Sequence, residues 1–404
     1  MPEKTISLCL IVRDSAKTLR HCLETFKPAV NEIVVVDTGS TDDTKVIAAE
    51  FGAVIYDFTW INDFSAARNF ALQKCTQEWV LWVDSDDWIK PGEVQKIKEF
   101  DFTPWDVIVA IYNYSHDGHG NCTCSNPRER FLRRALIPDR IKFEGRIHET
   151  VSLDPTKYRV GVSDIHTEHD KRESSSSRNL EILRLCVRDN PKDTRSVYYL
   201  AKELYDAGQH EESIKWFDRA VLRKDLFWED RYLGYFYLAH AYLYARKDKA
   251  AFKKLMFKSI DLEDRRAEPF FAIGLYWQTE GEFQRAIPWY NYCLDVKRPN
   301  NLLAPSQPEY YTYLPHMQLT VCHNAIGEVR EAYIHNCAAM EYRPKDESII
   351  KNDKILRAYM AEHGLSLPEI IVDNSTTPTP QLVVASKNEN EIEDGIPAWS
   401  GIPT

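Results

Sequence analysis

The sequence predicts a mostly parallel α/β domain followed by an all-α repeat domain, and three observations carry that prediction. Over residues 1 to about 115, short apolar runs alternate with segments of helical spacing, the signature of βαβ units. From residue 178 onward the pattern is almost purely helical, rich in Tyr, Phe, Leu and Ala, and it repeats. The chain has 404 residues, more than one hydrophobic core usually organises. Hydrophobic residues at 44% and charged residues at 28% make an ordinary globular composition and exclude global disorder.

Taken in order, strands are expected at Ile6–Val12, Glu32–Asp37, Ala53–Asp57, Trp79–Val83 and Val107–Tyr112. Helices are expected between them at Lys17–Phe26, Asp42–Phe51, Phe64–Cys75 and Glu93–Phe100. The first run reads as a strand and not a secretion signal, because Arg13 interrupts it and no small-residue cleavage site follows. Residues 128–166 lose the helical pattern and look like added strands and loops. The polar stretch from Lys171 to Arg178 resembles a hinge or a helix start. Farther on, Leu200-Ala201, Leu238-Ala239, Ile273-Gly274 and Leu319-Thr320 align as the small-residue positions of successive helix pairs, spaced 38, 35 and 46 residues apart. The longest spacing contains the insertion Pro299–Pro308. Period and small residues together resemble tetratricopeptide repeats, whose helices need small side chains where they cross closely. An unrelated helical bundle is the alternative. The expected domains are 1–172 for the α/β part and 178–362 for the repeats, with 366–404 a tail of little core.

Several function classes drop out. Lys+Arg 51 against Asp+Glu 61 gives a net charge of −10, with no basic stripe along a helix, so a nucleic-acid partner is disfavoured. No apolar run approaches the roughly 18 residues that span a bilayer. Nine cysteines without a framework suit the cytoplasm. No Gly-x-Ser-x-Gly, Walker A or Cys-x-x-Cys pattern is present.

Two segments carry the chemistry. Glu32-Ile-Val-Val-Val-Asp37-Thr-Gly-Ser-Thr-Asp42-Asp43-Thr44 is a strand that ends in a carboxylate, then a turn, then a helix cap. Trp79-Val-Leu-Trp-Val-Asp84-Ser-Asp86-Asp87-Trp88 puts three acids after a buried strand, which is costly unless something positive sits among them. Carboxylates in that place suit Mg²⁺ or Mn²⁺ bridging to a diphosphate. Between Arg128 and Arg146 seven basic residues face three acidic ones, an excess that fits a diphosphate or a solvated strand face. His116-x-x-His119-x-x-Cys122-x-Cys124 is too tightly spaced for the usual zinc knuckle.

Ser7-Leu-Cys-Leu-Ile-Val-Arg-Asp14, VVVDTGSTDDT, Trp60-Ile-Asn-Asp63-Phe-Ser-Ala-Ala-Arg68-Asn69 and WVLWVDSDD stand in the order found in glycosyltransferase family 2. Phe143-Glu-Gly-Arg-Ile-His148-Glu149 and Ile165-His166 fit as well. The combination resembles the bacterial branch in which a GT-A domain is fused to tetratricopeptide repeats, a branch that includes the sublancin-type peptide S-glycosyltransferases. That resemblance implies a GT-A fold and an inverting, metal-dependent transfer from a nucleotide sugar, uridine-linked, to an acceptor. It places Val12, Asp37, Arg68, Asp84, Ser85 and Asp87 at the nucleotide sugar. It places Asp86 and His166 on the Mn²⁺ or Mg²⁺ ion, and Glu149 as the general base. The family's usual Asn-Glu after the first strand reads Asp14-Ser15, and its second Asp after the second strand is Thr38, so base recognition should differ in detail. Arg68 could instead pair with Asp63 on a helix surface.

For the acceptor, the short α/β part and the aromatic repeats point to a peptide or protein held by residues 178–362, or to self-association through them. The alternative function is a protein-binding module whose transferase domain is weak or inactive.

Overall fold

The structure, a computed structural model, describes residues 4–116, 122–152, 156–170, 176–299, 307–373 and 381–385. Strands and helices alternate as β1 (Ile6–Val12), α1 (Ala16–Phe26), β2 (Glu32–Asp37), α2 (Thr44–Glu50), β3 (Val54–Asp57), α3 (Phe64–Lys74) and β4 (Trp79–Val83). Then come β5 (Asp87–Trp88), α4 (Pro91–Glu99), β6 (Val107–His116), β7 (Cys122–Arg133), β8 (Phe143–Glu144), β9 (Thr150–Val151) and β10 (Val160–His169). The main sheet has eight strands in the order β3-β2-β1-β4-β7-β6-β10-β5. Pairing is parallel from β3 through β4 and between β6 and β10, and antiparallel around β7 and at β5.

Local physics explains the match with expectation. Successive strand residues point to opposite faces, and here both faces are covered. Leu8 and Leu10 pack with Leu19, Leu23 and Phe26 of α1, whose buried residues follow helical spacing. Cys9, Val34 and Val36 pack with Ala71 and Leu72 of α3 on the other face. The strands therefore read as continuous apolar runs. Asp63 starts α3 by accepting a hydrogen bond from the Ala66 amide at 2.9 Å. The hairpin β6–β7 is longer than the sequence suggested. Its outer half carries Asn, Ser, Thr and Cys, so it shows no apolar run to read.

The chain divides into two compact units, the first running to Lys247 and the second beginning at Asp248. The first unit contains the sheet with α5 (Ser176–Asp189), α6 (Thr194–Asp206), α7 (His210–Val221) and α8 (Trp228–Arg246). The second contains α9 (Lys249–Ile260), α10 (Glu268–Thr279), α11 (Phe283–Asp295), α12 (Tyr313–Ala325), α13 (Val329–Tyr342) and α14 (Glu347–Glu362). It also holds the antiparallel pair β11 (Glu369–Asp373) and β12 (Gln381–Ala385). The rest of the expected tail, most of the Pro299–Pro308 insertion and residues 171–175 lie outside the described residues.

The aligned small positions are the buried ones: Ala201, Ala239 and Thr320 are wholly inaccessible. At Gly274 in α10, an added Cβ would stand 2.8 Å from the ring of Tyr290 in α11. That ring is fully buried, and its hydroxyl donates to Gln278 Oε1 at 2.6 Å, so it has nowhere to go. Gly274→Ala gains about 1 kcal/mol of helix propensity but overpacks by about 1–3 kcal/mol. We expect a net loss of about 1 kcal/mol in urea unfolding, where an unchanged midpoint would mean that the crossing is loose.

Candidate active site at the carboxyl ends of the strands

The site is built where β1, β2 and β4 end. The Val12 carbonyl accepts from the Thr38 amide at 2.9 Å and from its hydroxyl at 3.0 Å. Asp14, in a left-handed conformation at φ 46°, accepts from the Thr41 amide at 2.8 Å. The residues that depart from the family pattern thus tie the first turn to the second. Asp37 is almost wholly buried, and its Oδ2 accepts from the Gly39 and Ser40 amides at 3.1 and 3.0 Å. Its Oδ1 is buried with no hydrogen-bond partner among the described residues. Burial pushes the Asp37 carboxyl up, but the bonds from Ser40 and Gly39 and the Lys45 charge hold it below the usual range.

Arg68 projects from α3 into the middle of this cleft. It does not pair with Asp63. Its Nη2 donates to Asp84 Oδ1 at 2.6 Å and its Nε to Glu149 Oε1 at 2.5 Å, while the guanidinium lies over Trp82 and Phe143. Burial pushes Asp84 up, yet the Arg68 and Arg130 charges outweigh it and bring the carboxyl down to about 2. Ser85, after β4, donates to Ser15, after β1, at 2.9 Å.

Asp86, Asp87 and His169 present ligand atoms within 4.8 Å of one another. Asp87, expected at the donor, is completely buried and engaged by protein groups. Its oxygens accept from Arg130 Nη2, Tyr112 Oη and the Asp84 amide, each at 2.9 Å, and Oδ1 lies 3.3 Å from His169 Nδ1. Arg130 is held between the rings of Trp82 and Tyr112, each 4.4 Å away. Asp87 therefore organises the cluster from within, and Asp86 and His169 lie half-buried beside it.

The histidine in this cluster is His169, not His166. Three residues apart on a strand, the two point to opposite faces. Antiparallel pairing of β10 with β5 sets His169 opposite Asp87, whereas the His166 ring meets Asn113 at 3.3 Å. The strand runs three residues farther than the reading that ended at His166. Burial pushes the His169 imidazole down, but its bond to Asp87 and the charges of Asp86, Asp87 and Asp84 raise it above its ordinary value. Arg130, counted among the excess of basic residues on its stretch, had no separate signal: only the fold shows that it is buried. Of the tight His/Cys cluster, His116 pairs with Glu168 at 2.6 Å and Cys122 donates to Asn113 at 3.5 Å, while His119 lies outside the described residues.

A mostly parallel sheet with an acidic, arginine-braced cleft at its strand ends is an architecture of the GT-A type. Residues 7–149 match the glycosyl transferase family 2 model, so the chain carries a family 2 glycosyltransferase domain. It is similar to the SPbeta prophage-derived glycosyltransferase SunS of Bacillus subtilis, 28% identical over 232 residues that make up 54% of this chain and 53% of that protein. A TPR repeat-containing protein of Synechococcus elongatus is 49% identical over 82 residues, 20% of each chain. Among solved structures, Staphylococcus aureus TarS 1–349 in complex with UDP-GlcNAc aligns with 96% of this chain and 99% of its own, at 16% identity and a TM-score of 0.34. The chain spans about half the length, or less, of the curated relatives it matches. Among the described residues, no helix is long and apolar enough to cross a membrane.

Proposed function

We propose that the chain transfers a sugar from a uridine-linked nucleotide donor to an acceptor, with inversion at the anomeric carbon and with a divalent cation. The observation that carries this reading is the charge balance of the cleft. Among the described residues, both arginines of the cleft are already paired, Arg68 with Asp84 and Glu149 and Arg130 with Asp87, while Asp86 and His169 offer ligand atoms beside Asp87. With both guanidiniums so engaged, an incoming diphosphate calls for a further cation. Asp86 and His169 fit that cation, in place of the expected pair with His166, because Mg²⁺ and Mn²⁺ sites of this kind use one or two protein ligands and complete their shell with phosphate oxygens and water. When bound, the ion offsets charge on the departing diphosphate.

The protein groups divide the remaining work. The unpartnered Oδ1 of Asp37 suits an imide N–H of the base, and Val12 and Ser85 border the nucleoside. Arg68 fixes Asp84 for the ribose. Glu149, oriented by Arg68, takes the acceptor proton as the acceptor atom bonds to the anomeric carbon and the nucleoside diphosphate leaves. Residues 1–172 would handle the donor. Residues 178–362, with their aromatic load, would hold a peptide or protein acceptor or join two copies of the chain. All nine cysteines are unbridged, in keeping with a cytoplasmic setting.

The test is turnover of a panel of nucleotide sugars with Mn²⁺ by the full chain and by Glu149→Gln. A general base predicts a kcat lower by about 10²-fold with the donor KM unchanged. An unchanged kcat removes Glu149 from proton transfer. Tight partner binding without any turnover by the parent chain would instead establish the protein-binding module.

A further inference from the structure

The segment that carries Glu149 has little structure of its own. Residues 145–148 form a turn between the two-residue strands β8 and β9, and His148 sits in the left-handed region at φ 50°, a conformation that non-glycine residues rarely hold unaided. On one side the sheet domain anchors it: the Phe64 amide at the start of α3 donates to the Arg146 carbonyl at 2.8 Å. On the other side the first repeat helices hold it. The imidazole of His148 stacks on Tyr199 of α6, with ring centroids 4.1 Å apart and planes at 16°. Its Nε2 lies 3.2 Å from Glu203 Oε1, one helical turn farther along. Arg195, one turn back, donates to the His148 carbonyl at 3.1 Å and to the Tyr199 hydroxyl at 3.3 Å. Arg146 pairs with Asp189 of α5 at 2.9 Å.

The next residue, Glu149, is the one that grips Arg68, and Arg68 grips Asp84. We propose that Tyr199 of helix α6 is a positioning residue of the transferase site: by clamping His148 it holds the Glu149–Arg68–Asp84 chain in register. The repeat helices α5 and α6 are then part of the active site's frame and not only an appendage for the acceptor. This deepens the transferase reading and rests on it for the catalytic consequence, although the clamp itself is a statement about structure.

The experiment uses the full chain and two readouts, amide hydrogen exchange and donor turnover. In Tyr199→Ala, exchange at residues 145–150 should rise about tenfold or more while α6 stays protected, and kcat should fall about tenfold. Tyr199→Phe, which keeps the stacked ring, should restore both. His148→Gly, which allows the left-handed backbone but deletes the stack, should loosen the same segment without touching α6, and so covers the case in which Tyr199→Ala unfolds the helix. Arg184→Ala, whose guanidinium pairs with Glu212 of α7 and not with residues 145–150, should change neither readout. Unaltered exchange at 145–150 in both Tyr199→Ala and His148→Gly would overturn the proposal. So would loosened exchange with undiminished kcat. If exchange responds as stated but the parent chain turns over no donor, the clamp stands and the transferase reading fails.

Discussion

Asp86→Ala is expected to lower donor turnover by about 10²–10³-fold, the cost of losing the cation that Asp86 would hold against the charge developing on the leaving group. The size follows from what surrounds it. Arg68 is already shared by Asp84 and Glu149, and Arg130 is spent on Asp87, so neither guanidinium is free to neutralise a departing diphosphate. The same loss should follow EDTA treatment of the parent chain. Added Mn²⁺ or Mg²⁺ should restore the parent chain but not Asp86→Ala. His169→Ala should behave likewise with a smaller effect, whereas His166→Ala should leave metal response intact. Full turnover in EDTA would remove the ion, and Asp86 with it, from the mechanism.

Breaking the Asp87–Arg130 pair is expected to cost about 3–5 kcal/mol of stability, the usual penalty for leaving one buried charge without its partner. Both side chains are inaccessible, and the guanidinium is enclosed by Trp82 and Tyr112 with a further bond to the Trp82 carbonyl at 3.2 Å. Asp87→Ala and Arg130→Met should each lower the unfolding free energy measured in urea by that amount. The double variant should recover most of it, because removing both charges leaves no buried ion uncompensated. Equal losses in the double variant would mean that packing, and not charge, dominates the site. Since Asp87 also accepts the Asp84 amide and faces His169, each single variant should weaken the metal response as well.

Where sequence reading and structure meet, one physical signal is responsible. β1, β2 and β4 are covered on both faces, so each leaves a run of apolar residues, and those of β2 and β4 end at an acid, Asp37 and Asp84. The small residues of the helix pairs were legible for a related reason, since a close crossing excludes bulk whatever its neighbours are. Arg68 was singled out by its motif, although its two partners, Asp84 and Glu149, were not legible there. His169 was missed because the end of a strand is set by pairing: β10 continues only as far as β5 meets it, and β5 is two residues long.

The sequence alone therefore determined the α/β-then-helical order, the strand-end position of the acidic cluster and the small-residue crossings, because each depends on periodicity within one segment. Only the tertiary structure decided which histidine joins Asp86, that Asp87 is spent on a buried Arg130, and that Arg68 links Asp84 to Glu149. It alone showed that α6 stands against His148. These pairings join residues 16 to 83 positions apart through register and packing, which no local pattern of side chains encodes.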